Sequence, residues 1–325
     1  QPSQTGVTGR RVLMLSHITP SVLTALGGVL GILVVASLIA ALLKRLYPDK
    51  NYTELIQRIR SWWIMIGIFS GAILLSRTAS ILFFAFVSFL ALKEYLSLIP
   101  TRRADRRVLF WAYAAIPFQY YWVHEQWYGM FIIFIPVYLF LLLPMRMVII
   151  GETKDFLRAA GTLHWGLMTM VFSLSHAAFF LVLDGARNPA GGGAGLVLYL
   201  IFLTQFNDVA QYIWGKLTGR HKIIPKVSPN KTWEGFLGGV GTTTALAALL
   251  APHLTPLTLV ESVGAGFLIA LGGFIGDVTI SALKRDIGVK NSGSLLPGHG
   301  GILDRIDSLT YAAPLLFHFV YYLHY

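Results

Sequence analysis

The sequence contains no cysteine. Disulfide staples and thiolate metal sites are therefore excluded, and any metal site must be built from oxygen and nitrogen. Charge is nearly as scarce. Asp, Glu, Lys and Arg make up 13% of the 325 residues, where ~25% is usual for a soluble domain. With 55% hydrophobic residues and a mean hydropathy of +0.64, the chain cannot cover itself with polar surface, and lipid is its expected solvent. Acid is the scarcer sign: 15 Asp and Glu face 26 Lys and Arg, a net charge of +11. Such an excess suits nucleic acid when it gathers on one face. Here the cations sit between apolar runs of spanning length, so no nucleic-acid partner is expected.

What the sequence has instead is apolar runs. A spanning helix needs about 20 mostly apolar residues. Ten candidates fit: 20–43, 62–76, 78–98, 108–123, 128–150, 161–183, 194–214, 235–257, 258–280 and 308–325. The runs 62–76 and 108–123 are short enough for re-entrant segments. The first run is longer than a signal-peptide core of about 7–15 residues and reads as a retained span, although Arg10 and Arg11 precede it. Placing the N-terminus outside puts segments 44–61, 93–107, 145–160, 215–234 and 282–307 in the cytoplasm. These hold 22 of the 26 Lys and Arg, as the positive-inside rule demands. A missed or invented helix would scramble that alternation. The expected fold is all-α and polytopic, in the cell (inner) membrane. Residues 1–160 supply N-terminal helices, with an interfacial helix, and residues 161–325 the C-terminal region of the same membrane domain. Within 50–63, Tyr52, Leu55, Ile56, Ile59, Trp62 and Trp63 recur at helical spacing among Lys50, Arg58 and Arg60. This pattern suits an interfacial helix or a linker entering the next span. Residues 190–195 read as a Gly-rich external loop.

Chemistry concentrates in the last third, where acids appear inside apolar runs. Ionisable groups at membrane depth are costly and usually functional. Asp208, Gln211, Tyr212 and Gly215 share one helix face. This stripe suits catalysis or helix packing. In the stretch 222–235, Ser228 reads as an N-cap and Pro229 as the first helical residue, with Lys226 and Lys231 beside a helix end that favours phosphate. A capped helix with snorkelling lysines is the plainer reading. Asp277, Ser281, Lys284 and Arg285 fall within about 100° of helical arc, and Lys290 precedes the run from Gly293 to Gly301. Asp304 and Asp307 follow one turn apart. Such carboxylates suit Mg2+, which binds through one or two of them plus substrate phosphates. The plainer reading makes Asp304 a helix cap and His299 a loop residue.

In register, Ser281, Lys284, Arg285, Lys290, Gly293, Leu296, Pro297, His299, Gly300, Gly301, Asp304, Arg305 and Asp307 resemble the signature of the CDP-diacylglycerol synthase (phosphatidate cytidylyltransferase) family. The stretch from Lys226 to Gly235 resembles that family's upstream segment, so the likeness covers roughly residues 205–310. Asn291 stands where the signature has Asp, and Asn207 and Gln211 where small residues are usual. These departures leave room for a divergent bacterial paralogue with another substrate. The resemblance implies cytidylyl transfer from CTP to phosphatidate at the cytoplasmic face, releasing pyrophosphate. It implies Mg2+ on Asp277 and Asp304, with a second cation left open. Lys284, Arg285 and Asp208 would join them in catalysis. Lys226, Ser228, Lys231, Thr232, Ser281, Lys290, His299, Gly300, Gly301, Arg305 and Asp307 would line the substrates, and membrane lipids would surround the enzyme. A homodimer is compatible with all this. Rival readings are a CTP-dependent kinase or transferase acting on another lipid, a transporter using Asp208 and Asp277, and an inactive scaffold.

Overall fold

In hydrocarbon every backbone N–H and C=O must be satisfied within the chain, so apolar runs of this length have to be helical. The computed structural model describes residues 18–49, 51–102, 105–293, 295, 298 and 300–325. Its helices are α1 (Pro20–Leu46), α2 (Thr53–Leu75), α3 (Arg77–Leu98), α4 (Arg106–His124), α5 (Tyr128–Ile150), α6 (Phe156–Val182), α7 (Gly192–Thr218), α8 (Trp233–Leu254), α9 (Leu259–Asp286), the single turn α10 (Leu303–Ile306) and α11 (Leu309–His324). Eight of them are long and apolar enough to cross a bilayer. The remaining two predicted spans also form helices, α4 with 19 residues and α11 with 16. The protein is thus an all-α polytopic membrane protein.

Local signals set several boundaries. Pro20 opens α1 behind Thr19, whose hydroxyl accepts from the Val22 N–H. Thr258 and Glu261 form a reciprocal capping box at the start of α9. Three expectations are corrected. Residues 53–75 form one unbroken helix, so neither a separate interfacial helix nor a re-entrant segment is present there. The glycines at 192–195 are the first turn of α7 rather than loop. Ser228 caps no helix: residues Ser228–Thr232 form strand β2, antiparallel to β1 (Lys222–Ile224), and α8 begins at Trp233. The cap is Thr232, whose hydroxyl accepts from Gly235 at 3.2 Å.

The second half packs through small residues, as close helix contact in lipid requires. A side chain at Gly266 would collide with Ala247 and Thr244, and one at Gly239 with Gln211. Gly276 lies hard against the backbone of Asp307 and Ser308, which seats the site-bearing turn on α9. An aromatic cluster joins the two halves at the far end from that turn. Tyr128 stacks on Tyr321 at 4.4 Å, and Phe131 meets Phe179 at 4.5 Å and the buried His176 ring at 4.8 Å. Large apolar side chains on α1 and α2 stay open, among them Leu38 and Ile68. That is the expected surface of a helix facing lipid.

Candidate active site

Helix length places the charged groups. The 28 residues of α9 span about 42 Å at 1.5 Å per residue, against a hydrocarbon core of about 30 Å. About 12 Å of it, roughly two turns, must stand outside the core, and the end that carries Lys284, Arg285 and Asp286 is the charged one. The end of α7, with Asp208 and Gln211, lies beside α9. The β1–β2 hairpin folds over α7, and α10 returns the chain to α9.

Each acid has a defined partner. Lys231 Nζ pairs with Asp277 Oδ2 at 2.6 Å and donates to Gln211 Oε1 at 3.0 Å. Ser281 donates to Asp277 Oδ1 at 3.3 Å. Lys284 pairs with Asp304 Oδ1 at 2.6 Å. Asp304 Oδ2 accepts the N–H groups of Ser292 at 3.0 Å and Gly301 at 3.1 Å. Ser308 bridges both oxygens of Asp208, at 3.1 and 3.0 Å, and its N–H donates to Asp307 Oδ1 at 2.8 Å. Burial acts to raise the Asp304 pKa, but Lys284 and the two N–H groups outweigh it and hold the carboxyl below its usual range. Burial, with the charges of Asp277 and Asp208 beside it, pushes Asp307 well above that range.

Two cavities meet at these acids. The larger, about 1000 Å³, is lined on one side by Leu55, Arg58, Ile59 and Trp62 of α2 and on the other by Lys284, Lys290, Asn291, Gly293 and Gly300. The smaller, about 560 Å³, lies under the hairpin against Lys216, Lys222, Ser228, Asn230, Lys231 and Thr232. Gln205, Asp208, Asp277, Asp304, Arg305 and Asp307 line both. Two buried polar atoms of cavity-lining residues find no partner among the described residues: Gln211 Nε2, in the smaller cavity, and Arg305 Nε, at both. Buried donors are normally satisfied, so this wall has spare hydrogen-bonding capacity for a ligand.

The structure thus brings most of the sequence-predicted residues together, and it sets some apart. Lys226 sits exposed at the hairpin turn and lines neither cavity. The Arg285 guanidinium donates to the Val227 and Val289 carbonyls at 3.3 and 3.1 Å, which ties the hairpin to the end of α9 rather than lining the site. Tyr212 is mostly exposed, while Gln211 is buried. Ser281 donates to Asp277, and Gly301 donates its N–H to Asp304 while packing on Glu94 and Ser292; neither residue lines a cavity. Gly300 has a φ of +85°, which only glycine adopts without strain, and a Cβ there would crowd Asp304 Oδ2 at 2.5 Å. His299 lies outside the described residues. Sequence reasoning missed Gln205, Glu94 and the α2 wall. For α2 a signal existed, since Leu55, Ile59 and Trp62 repeat at helical spacing around Arg58.

The site is thus a partly buried carboxylate cluster near helix ends, with cations and apolar side chains around it, in a polytopic membrane protein. The chain matches the cytidylyltransferase family over residues 56–323 and belongs to it, a family of membrane nucleotidyltransferases of phospholipid biosynthesis. It is 45% identical over 298 residues to YnbB of Escherichia coli (strain K12), an uncharacterized protein, covering 92% of this chain and 98% of that one. It is 41% identical over 131 residues to the phosphatidate cytidylyltransferase of Staphylococcus aureus (strain COL), covering 38% of this chain and 48% of that enzyme. To the phosphatidate cytidylyltransferase of Haemophilus influenzae it is 43% identical over 136 residues, 40% of this chain and 47% of that enzyme.

Proposed function

We propose that the protein condenses CTP with phosphatidate, giving CDP-diacylglycerol and pyrophosphate. The observation that carries this is the pair of cavities sharing one acidic wall. The hairpin cavity, with Lys216, Lys222 and Lys231, suits a triphosphate. The larger cavity, walled by Leu55, Ile59 and Trp62, suits a lipid headgroup whose acyl chains stay in hydrocarbon. A phosphatidate oxygen attacks the α-phosphorus of CTP; the new P–O bond forms as the bond to the β-phosphate breaks, and pyrophosphate takes the electron pair. Such a transfer needs alignment and charge neutralisation rather than a protein nucleophile. Arg305 lines both cavities and would touch both phosphates.

The acids also suit a divalent cation. Among the described residues no three acidic or histidine groups gather closely enough to cage one alone. Mg2+ needs no such cage, since it takes one or two carboxylates and completes its shell with phosphate oxygens and water. Asp277 and Asp304 would hold it, and Lys231 and Lys284, which now pair with them, would then turn to phosphate oxygens. Bound there, Mg2+ would neutralise the triphosphate and steady the leaving group. The segments between α1 and α2, α7 and α8, and α9 and α11 would face the cytoplasm, where CTP is found.

The test is purified protein with CTP, Mg2+ and phosphatidate. Stoichiometric pyrophosphate and CDP-diacylglycerol are the expected products. CDP with a newly phosphorylated lipid alcohol would instead make it a kinase, and turnover only with another lipid phosphate would reassign the substrate.

A further inference from the structure

The glycine-rich segment that carries the acid turn is held from the other half of the chain as well as from its own. Glu94 reaches it from α3, near the end of a long apolar helix. One carboxylate oxygen, Oε2, accepts the Ile302 N–H at 2.9 Å; the other, Oε1, accepts the Leu303 N–H at 3.1 Å. Glycine makes this approach possible. A Cβ at Gly301 would collide with Glu94 Oε1, and one at Gly293 would stand 3.0 Å from Oε2. Gly301 is also a donor to Asp304 Oδ2, so its N–H faces one carboxylate while its Cα packs on the other. The chain of contact runs Glu94, Ile302 and Leu303, then Gly301, Asp304 and Lys284.

We propose that Glu94 is a positioning residue: it fixes the segment 300–304 so that Asp304 and Arg305 face the shared wall of the two cavities. Its importance for turnover rests on the cytidylyltransferase reading above; its grip on the loop does not. The chemistry is specific to a carboxylate. Two N–H donors converge on two acceptor oxygens, and charge-assisted bonds of this kind are about twice as strong as neutral ones. A carboxamide of the same size keeps one acceptor and turns an N–H2 group toward a backbone donor.

The experiment compares wild-type protein with Glu94→Gln and Glu94→Asp. The first readout is backbone hydrogen exchange of a peptide covering 300–306, measured without CTP, lipid or metal. Glu94→Gln should speed exchange there by about tenfold or more, while peptides from α5 and α6 keep their rates. Glu94→Asp, which retains the charge on a shorter arm, should fall between. The second readout is steady-state pyrophosphate release, where kcat should drop about 10–100-fold with the KM for lipid changed less than about twofold. Unchanged exchange in Glu94→Gln overturns the proposal, as does faster exchange with wild-type kcat. If Glu94→Gln does not fold, Glu94→Asp decides by the same two measurements. Should wild-type protein show no CTP-dependent product, the functional reading fails, while the exchange result still decides whether Glu94 holds the loop.

Discussion

The helices before residue 160 and those after residue 190 are both apolar enough to span a membrane, yet the polar pairs that join them differ. In the first set the pairs that join helices are neutral: Ser88 meets Tyr120 at 2.7 Å, and Gln119 donates to the Phe131 carbonyl and, on α6, to Ser175 at 3.1 Å, while a buried ion pair, Arg102 with Asp105 at 2.6 Å, stays within the connection between α3 and α4. The second set has neutral pairs too, such as Thr243 with Asn207, but adds ion pairs between elements at the cavities, Lys231 with Asp277 and Lys284 with Asp304, each at 2.6 Å. Neutral pairs lock helices together. Ion pairs at the edge of a cavity cost more to desolvate and gain less from packing, which points to selection for chemistry. The N-terminal set still reaches the site, through the α2 wall and through Glu94. One half therefore holds and walls the site, and the other supplies its charge.

The sharpest way to break this division is to neutralise the charged half. Asp277→Asn should reduce pyrophosphate release by about 10³-fold while leaving the protein folded, since removing a single preorganised electrostatic group commonly costs about 10²–10³. Normal turnover would return Asp277 to a packing role. Lys284→Met should act on the fold as well as the reaction. It strands Asp304 beside a buried wall, and breaking a buried pair costs about 3–5 kcal/mol; thermal unfolding in detergent would show a lower midpoint. Gly276→Val would push the Asp307 backbone off α9, with overpacking costs of about 1–3 kcal/mol, read by the same unfolding assay and by a fall in activity.

The α2 wall offers a finer test. Ile59→Ala with Trp62→Ala should raise the KM for phosphatidate by about tenfold, the scale expected when the lipid covers less apolar surface on binding, and leave the KM for CTP within about twofold. Lys222→Ala should do the reverse. Equal shifts in both constants would refute the assignment of one cavity to each substrate. The smallest effect is expected at Arg58 and Glu54, an exposed pair at 2.5 Å. Such pairs are worth about 0–1 kcal/mol, so Glu54→Gln should barely move the unfolding midpoint.

Much of this was legible in the residues. The span list followed from apolar run length, and the acids near 277 and 304 stood out because charge within such runs is rare. The hairpin was hidden because Ser228-Pro229 is also a good helix start, and only pairing with Lys222–Ile224 decides for a strand. The unbroken α2 was hidden because Arg58 and Arg60 look like the edge of a span, whereas in the fold Arg58 turns to the cavity. Glu94 gave no signal at all. A lone acid beside Lys93 near the end of an apolar run looks like an interfacial anchor, and its partners are backbone N–H groups some 208 positions away in sequence. Arg285 misled for the opposite reason: its helical phase matches Asp277, but its length carries the guanidinium to the hairpin backbone.

If Asp277 and Asp304 face one space where nucleotide and lipid meet, a structure of the protein with Mn2+ and a non-hydrolysable CTP analogue should show a metal peak bonded to both carboxylates, with the triphosphate on Lys231 and Arg305 and the base under the hairpin. Nucleotide bound elsewhere, or metal density away from both acids, would contradict that arrangement.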